Sequence, residues 1–187
     1  MPLDQNQRKE IEKIFLSFND DDTGALSFEE FYQFLQEAWE NQPKEQPKNS
    51  VKLSKSIGKF IFDAIANESS TSVIFPEVLP LIEAVLDRNT DFLIRFVYKA
   101  MDKDRTDQIS TKIIPKAAQL FGFKNCESVI NEKIRRNFGE DKKTLTYQEF
   151  YQLLTNVPKE QAPLPSARQA PESVPLVSDK SKCCLLL

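Results

Sequence analysis

The segment NDDDTGALSFEE, residues 19–30, sets side-chain oxygens at its first, third, fifth, ninth and twelfth positions: Asn19, Asp21, Thr23, Ser27 and Glu30. Ala25, at the seventh, offers its main-chain carbonyl. This spacing turns alternate residues toward one centre. A hard divalent cation such as calcium takes about six to eight oxygens there, and a carboxylate at the twelfth position reaches back to bind with both of its oxygens. Gly24, at the sixth, suits the sharp turn because glycine adopts positive φ without steric cost. Asn19 stands where an aspartate would add a charge. Affinity follows ligand charge, so binding is expected at the weak end of the sensor range, on the order of 10⁻⁵ M. Asp20 and Asp22 point away from the centre and add negative potential.

The flanks have helical periodicity. Ile11, Ile14, Phe15 and Phe18 precede the loop, and Phe31, Phe34 and Leu35 follow it. Asp4 with Gln7 forms a capping-box pair for the leading helix. The stretch ALSFEEFYQFL (25–35) returns as TLTYQEFYQLL (144–154). Aligning on the apolar eighth position gives Leu26, Val73, Ile109 and Leu145, separated by 47, 36 and 36 residues. The longer interval holds NQPKEQPKNS (41–50), whose Pro43 and Pro47 suit an exposed insertion between helices. Apolar residues recur around the other copies. Ile61, Phe62 and Ile65 lead into the second, and Val78, Leu81 and Ile82 lead out. Ile94, Val97, Tyr98 and Met101 lead into the third. Ile130 and Ile134 lead into the fourth, with Phe150, Leu153 and Leu154 after it.

The loop with its fourfold helical repeat resembles the EF-hand superfamily, in its four-hand form typified by calmodulin and troponin C, over roughly residues 5–156. The resemblance implies an all-α fold of two lobes, each a pair of EF-hands (helix–loop–helix), ahead of a disordered C-terminal tail. One lobe would span 1–86, with loops 19–30 and 66–77 and the insertion near 41–50; the other would span 87–157, with loops 102–113 and 138–149. It also implies that the loops of a lobe pair through a short β-bridge at the eighth position.

The four loops differ in ligand chemistry. Loop 66–77 opens on Ala66, which has no side-chain oxygen, and carries β-branched Thr71 at the turn; Glu68, Ser70 and Glu77 do not restore a cage. Loop 102–113 offers Asp102, Asp104, Thr106, the Gln108 carbonyl and Ser110, with Asp107 at the turn. Ile113 replaces its closing carboxylate, so this is a weaker metal set. Loop 138–149 keeps Glu149, but Phe138, Lys142 and Lys143 occupy its first, fifth and sixth positions, and lysines repel a cation. About one functional Ca2+ site is expected, at Asn19, Asp21, Thr23, Ala25, Ser27 and Glu30.

Composition narrows the rest. The 187 residues are 40% apolar and 28% charged with a net charge of -3, which suits a soluble globular protein and gives no field that favours nucleic acid. There is no histidine, no phosphate-binding GxxxxGK[ST] stretch and no nucleophile–base pair, so no enzyme is expected. Cys126, Cys183 and Cys184 lack metal-ligand spacing, and Cys126 reads as a buried small apolar residue. The start, MPLDQNQRKEIEKIF, has no secretory apolar region, and no apolar run reaches the ~20 residues of a membrane span.

Residues 158–187 carry Pro158, Pro163, Pro165, Pro171 and Pro175 and read as a disordered linker, roughly 30 Å in root-mean-square span. It ends in CLLL, the prenylation pattern, whose final leucine favours geranylgeranyl on Cys184. One lipid binds membranes marginally, so Cys183 is the expected second lipidation site; Lys180 and Lys182, offset by Asp179, add little. These features lead to a calcium-binding sensor or adaptor, cytoplasmic and held at the cytosolic face of a membrane. It would grip a partner helix in an apolar groove. With only Met1 and Met101 against fourteen phenylalanines, its partner set is expected to be narrow. The alternative is a scaffold indifferent to calcium.

Overall fold

In the computed structural model, the structure describes residues 3–40, 53–66, 70–123 and 125–156. The insertion at 41–50, Glu68, the Pro-rich tail, and Cys183 and Cys184 lie outside the described residues.

Helix α1 (Gln5–Leu16) starts where Asp4 satisfies two of its free N–H groups: Asp4 Oδ1 accepts from Asn6 N at 2.8 Å and Gln7 N at 2.9 Å. Gln7 Oε1 returns the favour, accepting from Asp4 N at 3.0 Å, which completes the expected capping box. There follow β1 (Ala25–Ser27), α2 (Phe28–Glu40), α3 (Lys55–Ile65), β2 (Ser72–Ile74) and α4 (Phe75–Leu86). The chain continues with α5 (Thr90–Met101), β3 (Ile109–Ser110), α6 (Ile113–Leu120), α7 (Glu127–Phe138), β4 (Thr144–Leu145) and α8 (Tyr147–Thr155). The fold is thus mostly helical, with two small antiparallel sheets. Among the described residues no helix is long and apolar enough to cross a membrane.

The four residues aligned in the sequence face each other in pairs. Leu26 pairs with Val73 in the β1–β2 sheet, and Ile109 pairs with Leu145 in the β3–β4 sheet. All four are 0–1% exposed. Each strand is only two or three residues long, so its stability comes from these buried side chains rather than from the ladder alone.

The chain divides into two compact units, Met1–Ala100 and Met101–Leu187. The division falls after Ala100, near the end of α5. All of α5 but its last residue therefore belongs to the first unit. Phe92, Phe96 and Lys99 of α5 line one cavity of about 220 Å³ with Ala64 and Ile65 of α3 and Pro80 and Leu81 of α4.

Aromatic rings fill the core of the first unit. Phe15, Phe31, Phe34, Phe62 and Phe75 are buried beside Leu26, Val73 and Val78. Phe15 meets Phe34 edge-on at 5.5 Å between centroids, and Phe31 meets Phe62 at 5.7 Å. Each ring carries about 1.5–3 kcal/mol of burial energy, with about 0.5–1.5 kcal/mol more for a well-oriented pair. The second unit buries Ile109, Ile114, Ala118, Cys126, Ile134, Leu145, Phe150 and Leu153. The thiol of Cys126 faces the Pro115 carbonyl at 3.9 Å, as befits a small core residue.

Helices α2 and α3 meet so closely that a Cβ added at Gly58 would lie 2.5 Å from a ring carbon of Tyr32. Gly58→Ala should therefore lower stability by about 1–3 kcal/mol in urea denaturation, although alanine is the better helix former. Adding Tyr32→Ala should make Gly58→Ala cheaper than it is alone, which a double-mutant cycle reads directly.

Candidate metal centre

Loop 19–30 joins α1 to α2 and passes through β1. Its backbone turns twice through the left-handed region, at Asp22 (φ 55) and Gly24 (φ 76). These turns bring Asp21 Oδ1, Thr23 Oγ1 and the Ala25 carbonyl to bear on a single atom, Asn19 Nδ2, at 2.7, 3.4 and 3.0 Å. The other end of the same amide is engaged too: Asn19 Oδ1 accepts from Gly24 N at 2.8 Å. Chemistry fixes which end is which, because the Gly24 N–H can only donate. Glu30 spans the loop. Its Oε1 accepts from Asp20 N at 2.9 Å, and its Oε2 accepts from Ser27 N at 2.7 Å and Ser27 Oγ at 2.6 Å.

Four of the six ligand positions, Asn19, Asp21, Thr23 and Ala25, meet at one point, while Ser27 and Glu30 bond each other at the start of α2. Only two of the six residues are carboxylates, and among the described residues no group of three or more His, Cys, Asp or Glu is placed to hold a metal ion. The set is nonetheless hard oxygen throughout, which suits calcium or magnesium and not a soft metal. Asn19 is the misfit. Its single oxygen serves Gly24, so an NH2 group faces the gathered oxygens, where a cation would meet its positive hydrogens.

Loop 102–113 repeats the backbone. Arg105 (φ 51) and Asp107 (φ 57) are left-handed at the same fourth and sixth positions as Asp22 and Gly24. Asp102, 9% exposed, does with two oxygens what Asn19 does with one: Oδ2 accepts from Asp107 N at 3.0 Å and Oδ1 from Thr106 N at 3.1 Å. Thr106 Oγ1 lies 3.1 Å from Asp104 Oδ1 and 3.3 Å from the Gln108 carbonyl. Asp102, Asp104, Thr106 and Gln108 thus gather, whereas Ser110 sits exposed in β3. Ile113 begins α6 and supplies no closing oxygen.

In the second loop only Ala66 and residues 70–77 are described; Ala66 ends α3, and Glu77 Oε2 accepts from Ile74 N at 3.1 Å. In the fourth loop Lys142 Nζ bonds Glu149 Oε1 at 2.7 Å, a pairing the sequence reading missed. The clue was the spacing, since the two residues hold the fifth and twelfth positions of one loop. No family model matches the chain, and no curated protein matches it.

The hydrogen bonds within loop 19–30 hold the carboxyls of Asp21 and Glu30 below their ordinary values. For Asp21 the leading cause is the Thr23 hydroxyl, then the Thr23 N–H and the Asn19 amide. For Glu30 it is the Ser27 hydroxyl, then the N–H groups of Asp20 and Ser27, against some repulsion from Asp21. A carboxyl whose pKa falls on folding contributes stability above its unfolded pKa and loses it as the pH drops through the folded value. The ion-free loop should therefore keep its geometry to a pH below the ordinary carboxylate range and loosen only beneath that. Carboxyl-carbon NMR titration of Asp21 and Glu30 checks this; midpoints at or above ordinary values would contradict it.

Proposed function

We propose that the chain is an EF-hand calcium-binding protein of two paired lobes, with one working ion site at loop 19–30. It acts as a calcium-responsive adaptor that a lipidated C-terminus holds at the cytosolic face of a membrane. The observation that carries the reading is the convergence of Asn19, Asp21, Thr23 and Ala25 on one point, in a loop whose Leu26 pairs with Val73 of the corresponding loop. Bound calcium would be held by Asn19, Asp21, Thr23, Ala25, Ser27 and Glu30, and would supply the positive charge these oxygens share. Glu30 lies in the first turn of α2, so its engagement bears directly on how α2 stands to α1. Exposed apolar side chains, Ile14 and Leu16 on α1 and Val85 and Leu86 on α4, support a partner with an apolar helix face. Arg8 and Glu83, paired at 2.7 Å, tie α1 to α4.

A second reading, a scaffold indifferent to calcium, draws on the Asn19 amide. Its NH2 group already satisfies the gathered oxygens, so the loop is closed without an ion. Calorimetry separates the two. The wild-type chain should bind about one calcium per molecule, weakly. Glu30→Gln should abolish binding, and Asn19→Asp should tighten it on the order of tenfold by restoring a charged ligand. A wild-type chain that takes up no calcium at millimolar concentration belongs to the scaffold reading.

The membrane assignment rests on the terminal CLLL. In cells that prenylate proteins, the wild-type chain should sediment with membranes and show an intact mass with lipid added and three leucines lost. Cys184→Ser should be in the soluble fraction at its unmodified mass.

A further inference from the structure

Loop 138–149 has Phe138 where a metal ligand would begin it, yet it keeps a buried carboxylate at its end. Glu149 is 8% exposed. A carboxylate buried without a positive partner is costly, so its neighbours are informative. Glu149 Oε2 accepts from Thr146 N at 2.9 Å and Thr146 Oγ1 at 3.3 Å, closing a capping box at the start of α8. Glu149 Oε1 accepts from Lys142 Nζ at 2.7 Å, with the two side chains only 30% and 11% exposed. Glu140, at the third position of the same loop, pairs with Arg135 at 3.1 Å.

Lys142 occupies the fifth position and Glu149 the twelfth. In loop 19–30 those places belong to Thr23 and Glu30, two of the side chains that a calcium ion would join. The ammonium thus links the same two points of the loop that a metal would. The stretch between them contains β4. There Thr111 N donates to the Lys143 carbonyl at 2.9 Å and Thr144 Oγ1 to Gln108 Oε1 at 2.8 Å, next to the buried Ile109–Leu145 pair. Closing 142 onto 149 therefore also holds the strand that joins the two loops of this unit.

We propose that Lys142 is a tethered cation that holds loop 138–149 closed and makes that loop insensitive to calcium. The regulatory meaning rests on the EF-hand reading above; the latch itself rests on the ion pair alone. Its energetic logic is asymmetric. Removing the lysine strands a buried carboxylate, whereas removing both charges strands nothing.

Hydrogen exchange on the full chain, with saturating calcium and with a chelator, tests it. In the wild type the amides of residues 144–150 should exchange equally slowly in both conditions. Lys142→Met should speed them about tenfold or more, with no rescue by calcium. Lys142→Arg, which keeps the charge, should stay near wild type, and Lys142→Met with Glu149→Gln should recover most of the protection. The proposal is overturned if Lys142→Met exchanges as slowly as wild type, if the double variant is no better protected than the single, or if wild-type exchange in this stretch changes with calcium. Should Lys142→Met not fold, Lys142→Arg and the double variant decide: both protected upholds the latch, either unprotected sinks it. Calorimetric binding at loop 19–30 is read separately. A wild-type chain that binds no calcium defeats the proposed function and leaves the latch standing.

Discussion

Oxygen atoms turned toward a common point repel one another unless something positive lies among them. That constraint governs the loops of this chain. Loops 19–30 and 102–113 gather oxygens where the backbone doubles back between two helices, loop 138–149 buries one carboxylate, and each meets the constraint with what its sequence provides. Loop 19–30 uses the NH2 of Asn19. Loop 102–113 turns main-chain N–H groups of residues 106 and 107 onto Asp102. Loop 138–149 uses the ammonium of Lys142. An amide carries only partial charge, whereas an ammonium carries a whole charge on a covalent tether.

The loops depend on the core beneath them and also help to fasten it. Leu26 and Val73, and Ile109 and Leu145, are buried at the centres of their strand pairs, so each loop is anchored through its eighth residue to another loop. Phe15 on α1 and Phe31 and Phe34 on α2 lie in one cluster with Phe62 on α3 and Phe75 on α4. A rearrangement of loop 19–30 that altered α1 against α2 would have to move the Phe15–Phe34 contact, whose rings stand edge-on at 5.5 Å. Close-packed rings do not deform smoothly, so such a change would proceed by repacking between discrete arrangements.

Much of this was legible in the sequence. The capping of α1 by Asp4 and Gln7 and the gathering of Asn19, Asp21, Thr23 and Ala25 follow from spacing; that Leu26, Val73, Ile109 and Leu145 meet in pairs is what the resemblance to paired EF-hands implied. Local rules carry such features: a capping box spans three residues, and a loop's oxygens are placed by its own backbone turns. Where the reading fell short, the cause was tertiary. Lys142 looked merely repulsive because its formal charge was weighed against an absent ion, not against Glu149.

By itself, then, the sequence determined the order of helices, the repeat and the oxygen-bearing loop, since these are set by the pattern of residue types along the chain. Only the tertiary structure decided which way the Asn19 amide turns and which partner the buried Glu149 takes. Both are choices among competing hydrogen bonds. Their outcome depends on where the backbone places Gly24 N–H and the Lys142 stem, and on how much water the packed helices leave beside them.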